Sequence, residues 1–202
     1  MFLYCTDLEG VLTPEIWIQF AEKTGIEALR LTTRDIADYN VLMRHRLDIL
    51  QKEGLKLADI QAVISKMEPL EGAISYLDWL RDRIQVVVVS DTFEEFAGPL
   101  MKKLGRPLLI CHQLAVSTDG LITGYKLRQE GGKRKTVEAF KGLNYRVIAS
   151  GDSYNDVQML EAADYGILFR PPSNVTQEFP HLPVAETYDA LKALIDETIK
   201  RF

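Results

Sequence analysis

The stretch Gln85-Val86-Val87-Val88-Val89-Ser90-Asp91-Thr92 decides the fold class of this 202-residue chain. Four valines in a row, without polar alternation, predict a β-strand that is covered on both faces, as in a parallel sheet. The strand stops in hydroxyl and carboxyl groups, and ligands of open α/β sheets bind at the carboxyl ends of strands. The stretch therefore predicts a sheet and also the edge of that sheet where a site would lie.

Short apolar runs of the same kind recur along the chain, at Phe2–Cys5, Leu108–Cys111, Tyr145–Ala149 and Gly166–Phe169. Segments with helical spacing lie between or after them, at Ala73–Arg83, Phe93–Leu104, Lys135–Lys141, Tyr154–Ala163 and Tyr188–Ile199. Strands that alternate with helices predict an α/β fold, with a doubly wound (Rossmann-like) parallel sheet core and right-handed crossovers.

The stretch from Pro14 to Pro69 breaks this alternation, because it is mostly helical and contains no convincing strand. Its helical patterns are Glu15–Lys23, Ile36–Lys52 and Leu57–Met67. We predict a small helical cap domain at residues 14–69, inserted after the first strand. Residues 1–13 and 70–202 would then form the core domain.

A second interruption is predicted to be a β-hairpin attached to the sheet. Leu114–Ser117 and Leu121–Leu127 flank Thr118-Asp119-Gly120, and Asp-Gly is a strong turn signal. Further on, Phe179–Ala185 contains two prolines and is predicted to be a rigid loop.

The charge and the apolar runs of the chain exclude some classes of function. The formal net charge is −5, whereas nucleic-acid binders usually carry a basic patch. No apolar run approaches the roughly 20 residues that span a bilayer, and the N-terminus lacks the features of a secretory signal. Cys5 and Cys111 lie among apolar neighbours and are interpreted as buried free thiols. We expect a cytoplasmic globular protein that binds neither nucleic acid nor membrane.

Four polar segments are expected to converge at one edge of the predicted sheet. Thr6-Asp7-Leu8-Glu9-Gly10 follows the first strand, and Ser90-Asp91-Thr92 follows the second. Gly151-Asp152-Ser153-Tyr154-Asn155-Asp156 follows a later strand, and Lys133-Arg134-Lys135 begins a helix between them. Because the carboxyl ends of parallel strands meet at one edge, this order predicts a shared site.

These residue types suit phosphoryl transfer, which depends on positioning and on neutralising the charge of the phosphoryl oxygens. Asp7 and Asp152 offer carboxylate ligands to Mg²⁺, and the metal would let Asp7 act as the nucleophile. Ser90 can hydrogen-bond a phosphoryl oxygen, and Lys133 can place a positive charge beside it. Glu9 can protonate the leaving group and then activate water.

Each segment alone has a structural explanation. Ser90-Asp91-Thr92 could be a helix N-cap, Lys133-Arg134-Lys135 a solvated face, and Asn155 and Asp156 the cap of a following helix. Their arrival in order after successive strands favours catalysis. Two other classes stay open on the same fold, a phosphorylated receiver-like signalling module and a catalytically silent binding protein. Multiple turnover would separate an enzyme from both.

In order and spacing, these segments resemble the four motifs of the haloacid dehalogenase-like phosphatases, and the resemblance spans the whole chain. It implies that Asp7 becomes an aspartyl-phosphate. It also implies that Mg²⁺ is held by Asp7, the backbone carbonyl of Glu9 and Asp152, with support from Asp156. The helical insertion resembles the small cap domain of these enzymes.

Within the family, the chain is most similar to phosphoserine phosphatases. In those enzymes a Glu after the first motif binds the substrate amine and an Arg of the cap binds the carboxylate, which places Glu15 and Arg46 in these roles. A guanidinium suits a carboxylate, although Arg44 is an alternative to Arg46.

Three further residues complete the predicted site. Tyr39 could form a wall of the pocket or pack inside the cap. Asp91 stands where these phosphatases usually have a glycine, and it is predicted to bind substrate together with Ser90 and Lys133. Asn155 is predicted to lie near the phosphate or the carboxylate of the substrate.

One departure links the chain to the bifunctional members of this branch, which also transfer phosphate from phosphoserine to homoserine. Glu9 stands where other phosphoserine phosphatases have a second Asp. We hypothesise that its extra methylene alters how well water competes with an acceptor alcohol. The resemblance implies L-phosphoserine as donor and homoserine as acceptor, with a phosphatase for another small phosphate ester as the alternative. A homodimer would be ordinary for an enzyme of this size.

Overall fold

A mostly parallel β-sheet forms the centre of the computed structural model, which describes residues 1–33, 35–36 and 38–201. Its strands are β1 Phe2–Thr6, β2 Gln85–Phe93, β3 Leu108–Val116, β4 Ile122–Lys126, β5 Arg146–Gly151, β6 Tyr165–Phe169 and β7 Val184–Ala185. Their spatial order is β4-β3-β2-β1-β5-β6-β7, and β4 alone pairs antiparallel within these residues. The predicted doubly wound α/β fold is confirmed, and the hairpin is the β3–β4 pair.

Helices flank the sheet and fill the stretch after β1. They are α1 Ile16–Thr24, α2 Tyr39–Lys52, α3 Leu57–Ile64, α4 Ala73–Arg81, α5 Glu94–Lys103, α6 Gly132–Gly142, α7 Tyr154–Ala162, α8 Ser173–Glu178 and α9 Tyr188–Arg201, with a 3-10 turn at Glu27–Arg30. The helix expected from Ile36 begins at Tyr39, because the Asp38 side chain caps it by accepting from the Asn40 and Val41 amides. Ala37 of that predicted helix, and Arg34, lie outside the described residues.

The valine run of β2 is buried on both faces of the sheet, as its composition indicates. Val87 and Val89 pack into the cluster beneath α6 and α7, whereas Val88 packs into the cluster beneath α4 and α9. Each fully buried valine contributes about 1.5–3 kcal/mol relative to an exposed one. Because successive side chains of the strand point to opposite faces, β2 packs against the helices on both sides of the sheet.

The helical segment between β1 and α4 has a hydrophobic cluster of its own. Trp17, Phe20 and Met43 contribute to that cluster, which continues into Phe96 of α5 and Ile122 of the hairpin. At the base of the segment, the Leu70 amide donates to the Leu12 carbonyl over 2.9 Å. The chain thus enters and leaves the segment at one place, while a domain division at residues 14 and 69 stays a prediction.

The structure corrects three strand predictions. Leu108–Cys111 and the predicted run from Leu114 belong to one strand, β3, which ends at Val116, because the polar pair His112-Gln113 interrupts the apolar pattern without ending the strand. Likewise, β2 continues through Ser90-Asp91-Thr92 to Phe93, with an irregular register beyond Val89. The loop predicted at Phe179–Ala185 ends in β7, which pairs with β6.

Candidate active site

Asp7 lies at the centre of the site, one residue past the end of β1. Its backbone amide donates to the Ser150 carbonyl of β5 over 3.0 Å, so the chain stays in register with the sheet as it reaches the edge. The Asp7 side chain is buried, and its Oδ1 accepts from the Leu8 amide over 2.8 Å. This hydrogen bond fixes the carboxylate and leaves Oδ2 directed toward Lys133, 3.1 Å away.

The beginning of α7 places two further carboxylates beside Asp7. Asp156 closes a capping box with Ser153, and its Oδ2 accepts from the Asp152 and Ser153 amides over 3.0 and 3.1 Å. Two glycines make room for these carboxylates. A Cβ on Gly10 would lie 2.5 Å from Asp152 Cγ, and one on Gly151 would lie 2.3 Å from Asp156 Cβ.

Asp7, Asp152 and Asp156 form a buried acidic triad that could hold a metal ion. One carboxylate oxygen of each lies within 4.8 Å of the others. Burial raises the pKa of Asp7 well above its ordinary value, and repulsion from Asp156 adds to this, while Lys133 opposes it. A hard divalent cation such as Mg²⁺ prefers oxygen ligands and would relieve this repulsion, so the residues present fit the predicted metal.

Lys133, near the start of α6, is the cation of this cluster. Its Nζ lies 2.7 Å from Asp156 Oδ1, 3.1 Å from Asp7 Oδ2 and 3.7 Å from Asp91 Oδ2. Burial by itself would lower the pKa of Lys133, but Asp156 and Asp7 raise it well above its ordinary value. The side chain is therefore an ammonium, positioned beside the Asp7 carboxylate rather than on a solvated face.

Asp91 joins Lys133 to a neighbouring polar network. Its Oδ2 accepts from Asn155 Nδ2 over 3.2 Å, and its Oδ1 lies 3.3 Å from His112 Nε2. Since His112 Nδ1 accepts from the Arg128 amide over 3.2 Å, Nε2 is the nitrogen that carries the proton. Burial alone would raise the Asp91 pKa, but the charge of Lys133, helped by the hydrogen bonds from His112 and Asn155, holds it well below its ordinary value. His112 had no predicted role, because nothing in its local sequence points to Asp91.

Glu9 is half-buried between the triad and the helical segment. Its Oε2 accepts from the Ile16 amide at the start of α1 over 2.8 Å. Removal from water and the nearby charge of Glu15 raise the pKa of Glu9 to about 8, although the Ile16 amide and Arg46 oppose this. A carboxyl group that stays protonated at neutral pH has the state required of a general acid.

Arg46 reaches the site from α2, whereas Arg44 is exposed on the same helix. Arg46 Nη2 donates to the Leu31 carbonyl over 2.8 Å, and the guanidinium lies over the Trp17 ring at 4.5 Å. Burial lowers the Arg46 pKa to about 10, so the group remains charged at neutral pH. Arg46 and Arg44 were the two arginines predicted from the sequence as candidates for binding a substrate carboxylate, and the geometry favours Arg46.

One cavity brings most of the predicted site residues together. Those lining it are Asp7, Glu9, Glu15, Arg46, Ser90, Asp91, Lys133, Asp152 and Asn155, while Asp156 is fully buried behind them. Tyr39 also lines the cavity, and its hydroxyl donates to the Asp91 carbonyl over 2.9 Å. Lining residues without a predicted role are Trp17, Thr32, Thr33, Leu42, Thr92 and Ser153. Thr92 could have been suspected, since it follows Ser90 by one strand period.

Comparison with known proteins identifies the family to which the chain belongs. Residues 6–161 match the family model of the haloacid dehalogenase-like hydrolases. The chain belongs to that family. This haloacid dehalogenase-like hydrolase is 62% identical over 188 residues to a phosphoserine phosphatase of Pseudomonas syringae pathovar tomato, covering 93% of the chain and 79% of the relative. It is 60% identical over 192 residues to phosphoserine phosphatase ThrH of Pseudomonas aeruginosa, covering 95% and 94% of the two chains.

Solved structures show the same fold at lower sequence identity. A phosphoserine phosphatase in apo form superposes with a TM-score of 0.78 at 22% identity, covering 96% of this chain and 97% of the other. A substrate-bound phosphoserine phosphatase complex gives 0.76 at 21% identity and 96% coverage of both chains. Among the described residues of this hydrolase, no helix is long and apolar enough to cross a lipid bilayer.

Proposed function

We propose that this hydrolase is a Mg²⁺-dependent phosphoserine phosphatase that also transfers the phosphoryl group to homoserine. The observation that carries the proposal is that one cavity is lined by Asp7 and Lys133 and also by Glu15 and Arg46. A phosphate ester of a zwitterionic amino acid matches this distribution of charge. The names of the two Pseudomonas relatives support phosphoserine as the substrate.

The first half of the reaction forms an aspartyl-phosphate. Glu15 binds the ammonium of phosphoserine and Arg46 its carboxylate, while Ser90 and Lys133 hold the phosphoryl oxygens. Asp7 attacks phosphorus, the bond from phosphorus to the serine oxygen breaks, and Glu9 supplies the proton that this oxygen needs. The raised pKa of Glu9 supports this role, because the proton is present at neutral pH.

Asp7, Asp152 and the backbone carbonyl of Glu9 would hold Mg²⁺, with Asp156 in support. When bound, the metal offsets the repulsion between the Asp7 carboxylate and the phosphate dianion. Lys133 contributes in the same direction, since its ammonium lies 3.1 Å from Asp7 Oδ2. Asn155 and Asp91 hold one another and limit the movement of Lys133.

The second half releases the phosphoryl group from Asp7 to an acceptor hydroxyl. Glu9, now deprotonated, takes a proton from water to give phosphate, or from homoserine to give phosphohomoserine. The longer side chain of Glu9, compared with the usual Asp, is our explanation for transfer. In Glu9→Asp we expect the ratio of transfer to hydrolysis to change. An unchanged ratio would leave the extra methylene without a role.

The proposal is tested by measuring phosphate release from L-phosphoserine with Mg²⁺, with and without homoserine, while following phosphohomoserine. We expect serine and phosphate without the acceptor, and phosphohomoserine in addition when it is present. Cleavage of an aryl phosphate but not of phosphoserine would retain the Asp7 chemistry and refute the roles of Glu15 and Arg46.

Recognition of the substrate carboxylate separates this proposal from a phosphatase for another small ester. Arg46→Ala should raise KM for phosphoserine by about tenfold or more, because a charged hydrogen-bond partner is lost. Arg44→Ala, an exposed change on the same helix, is the matched control and should leave KM unchanged. Full activity of Arg46→Ala would favour another substrate. The cytoplasmic location and the homodimer stay predictions.

A further inference from the structure

Among the residues that the structure describes, the Thr92 hydroxyl has no hydrogen-bond partner, although Thr92 is buried in the wall of the site. Thr92 is 4% exposed, and no described residue lies within hydrogen-bonding reach of its Oγ1. Its backbone amide is engaged, because it donates to Ser90 Oγ over 3.2 Å. A buried hydroxyl without a partner is unfavourable, so a folded protein usually retains one where something else satisfies it.

The position of Thr92 indicates which part of a ligand it would meet. Ser90 and Thr92 lie two residues apart in β2, and both line the cavity, although the register of the strand is irregular beyond Val89. The next residue, Phe93, already packs in the hydrophobic cluster of the helical segment. Thr92 is therefore the cavity residue of β2 that adjoins the helical segment, and this segment also carries Arg46.

A second side chain that lines this cavity also has a buried polar atom without a hydrogen-bond partner among the described residues. Arg46 lines the same cavity, and its Nε also has no partner among the described residues, although Nη2 is bound to the Leu31 carbonyl. A guanidinium N–H can only donate, and a threonine hydroxyl can donate as well. Thr92 and Arg46 both line the cavity, and a carboxylate, which has two acceptor oxygens, can accept from both side chains.

We infer that Thr92 is a further substrate-positioning residue, whose hydroxyl donates to the carboxylate of the amino-acid substrate. The inference rests on the proposed function and deepens it. It assigns the recognition of the substrate carboxylate to β2 of the core as well as to α2. A ligand held from both sides would be fixed relative to Asp7, which lies at the end of the neighbouring strand.

The test compares Thr92→Val, which keeps the shape and removes the hydroxyl, with Thr92→Ser, which keeps the hydroxyl. Steady-state kinetics with Mg²⁺ would use L-phosphoserine and O-phosphoethanolamine, which lacks the carboxylate. For phosphoserine, Thr92→Val should raise KM about tenfold with little change in kcat, as expected for a contact made in both ground and transition states. Thr92→Ser should stay close to the unsubstituted protein.

Phosphoethanolamine and thermal stability distinguish recognition from a structural role. Thr92→Val should leave kcat/KM for phosphoethanolamine unchanged. Its Tm without substrate should equal or exceed that of the unsubstituted protein, because an unpartnered hydroxyl has been replaced by a methyl group. An equal loss on both substrates, or a lower Tm, would overturn the inference.

Failure of this inference and failure of the proposed function give different results. If the unsubstituted protein hydrolyses phosphoserine and Thr92→Val has the same KM, the role of Thr92 is refuted and the proposed function stands. If the unsubstituted protein cleaves an aryl phosphate but not phosphoserine, the proposed function is refuted, and the inference about Thr92 with it.

Discussion

Glu9 and Lys133 each have a protonation state that is set by their surroundings in the site. Burial and the charge of Glu15 favour the neutral form of Glu9. Lys133 is held in its charged form by Asp156 and Asp7, despite burial. The side chains thus keep one available proton and one fixed positive charge around Asp7.

The raised pKa of Glu9 predicts a pH-dependent stability. Since the pKa rises from 4.5 to about 8 on folding, the folded protein binds this proton more tightly than the unfolded chain. The resulting stabilisation is fully present below about pH 4.5 and is lost as the pH rises through about 8. In chelator-treated protein, Glu9→Gln should therefore match the unsubstituted protein near pH 4.5 and be more stable above pH 8, by on the order of a few kcal/mol.

Thermal unfolding at several pH values would measure this difference. Glu53→Gln, an exposed change just after α2 that removes no ion pair among the described residues, is the control, and its stability difference should stay the same at each pH. A difference between Glu9→Gln and the unsubstituted protein that stays constant with pH would mean that Glu9 is not withdrawn from water as described.

Replacing Lys133 should damage both activity and stability. Lys133→Met leaves Asp7 and Asp156 buried without their cation, which costs on the order of 3–5 kcal/mol for a broken buried pair. Phosphate release should fall by about 10²-fold or more, because a charge that stabilises the transition state is lost. Lys135→Met, an exposed neighbour, is the control in kinetics and in denaturant unfolding. Retained activity in Lys133→Met would contradict the proposed role of Lys133 in holding the phosphoryl oxygens.

At the scale of an element, the turn from β5 into α7 places two of the three triad carboxylates. The strand ends at Gly151, and the capping box of Ser153 and Asp156 begins the helix. Because Asp156 accepts backbone amides of this turn, it both caps α7 and holds Lys133 over 2.7 Å. Local helix chemistry therefore determines the geometry of the site.

Gly151→Ala should disrupt this turn. The new Cβ would lie 2.3 Å from Asp156 Cβ, so the turn or the carboxylate must move. We expect a loss of stability of about 1–3 kcal/mol and a large loss of phosphatase activity. Gly142→Ala, where nothing lies within 4 Å of the new Cβ, should be neutral or stabilising by about 0.5–1 kcal/mol. Normal metal-dependent activity in Gly151→Ala would show that the turn tolerates the side chain.

At the scale of the whole molecule, the helical segment and the core meet over the cavity. Tyr39, at the start of α2, donates its hydroxyl to the Asp91 carbonyl, and its ring forms a T-shaped contact with His112, with 5.9 Å between the ring centroids. Farther out, the Tyr125 hydroxyl of the hairpin donates to Asn40 Oδ1 over 2.6 Å. Both contacts hold α2, the helix that carries Arg46, against the core.

Tyr39→Phe should weaken substrate binding without changing the chemistry. Loss of one partly buried hydrogen bond is worth about 0.5–1.5 kcal/mol, so KM for phosphoserine should rise roughly two- to tenfold at similar kcat. Tyr125→Phe removes the outer contact and serves as the control, with a smaller effect on KM. Equal KM values in all three proteins would show that the inner contact does not help to hold Arg46 over the substrate.

Local patterns in the sequence were enough for strands β1 to β6, for most of the flanking helices and for the triad segment, whereas β7 was predicted as a loop and α8 was not predicted. The valine run before Ser90 is typical of a strand that is covered on both faces. The segment Gly151–Asp156 contains the residues of its own turn and helix cap. Parallel strands then bring Asp7 and Lys133 to the same edge, although their catalytic roles stay predictions.

Tertiary structure decided what depends on contacts between distant segments. The choice of Arg46 over Arg44 depends on which side of α2 meets Trp17, and the pairing of His112 with Asp91 joins two strands. The raised pKa of Glu9, and the Thr92 hydroxyl that lacks a partner in the described part of the chain, depend on how the helical segment packs against the core. The sequence alone determined the fold and the charged groups at the sheet edge, because these follow from local periodicity and strand direction. The protonation and partners of those groups depend on burial, which only the packed molecule defines.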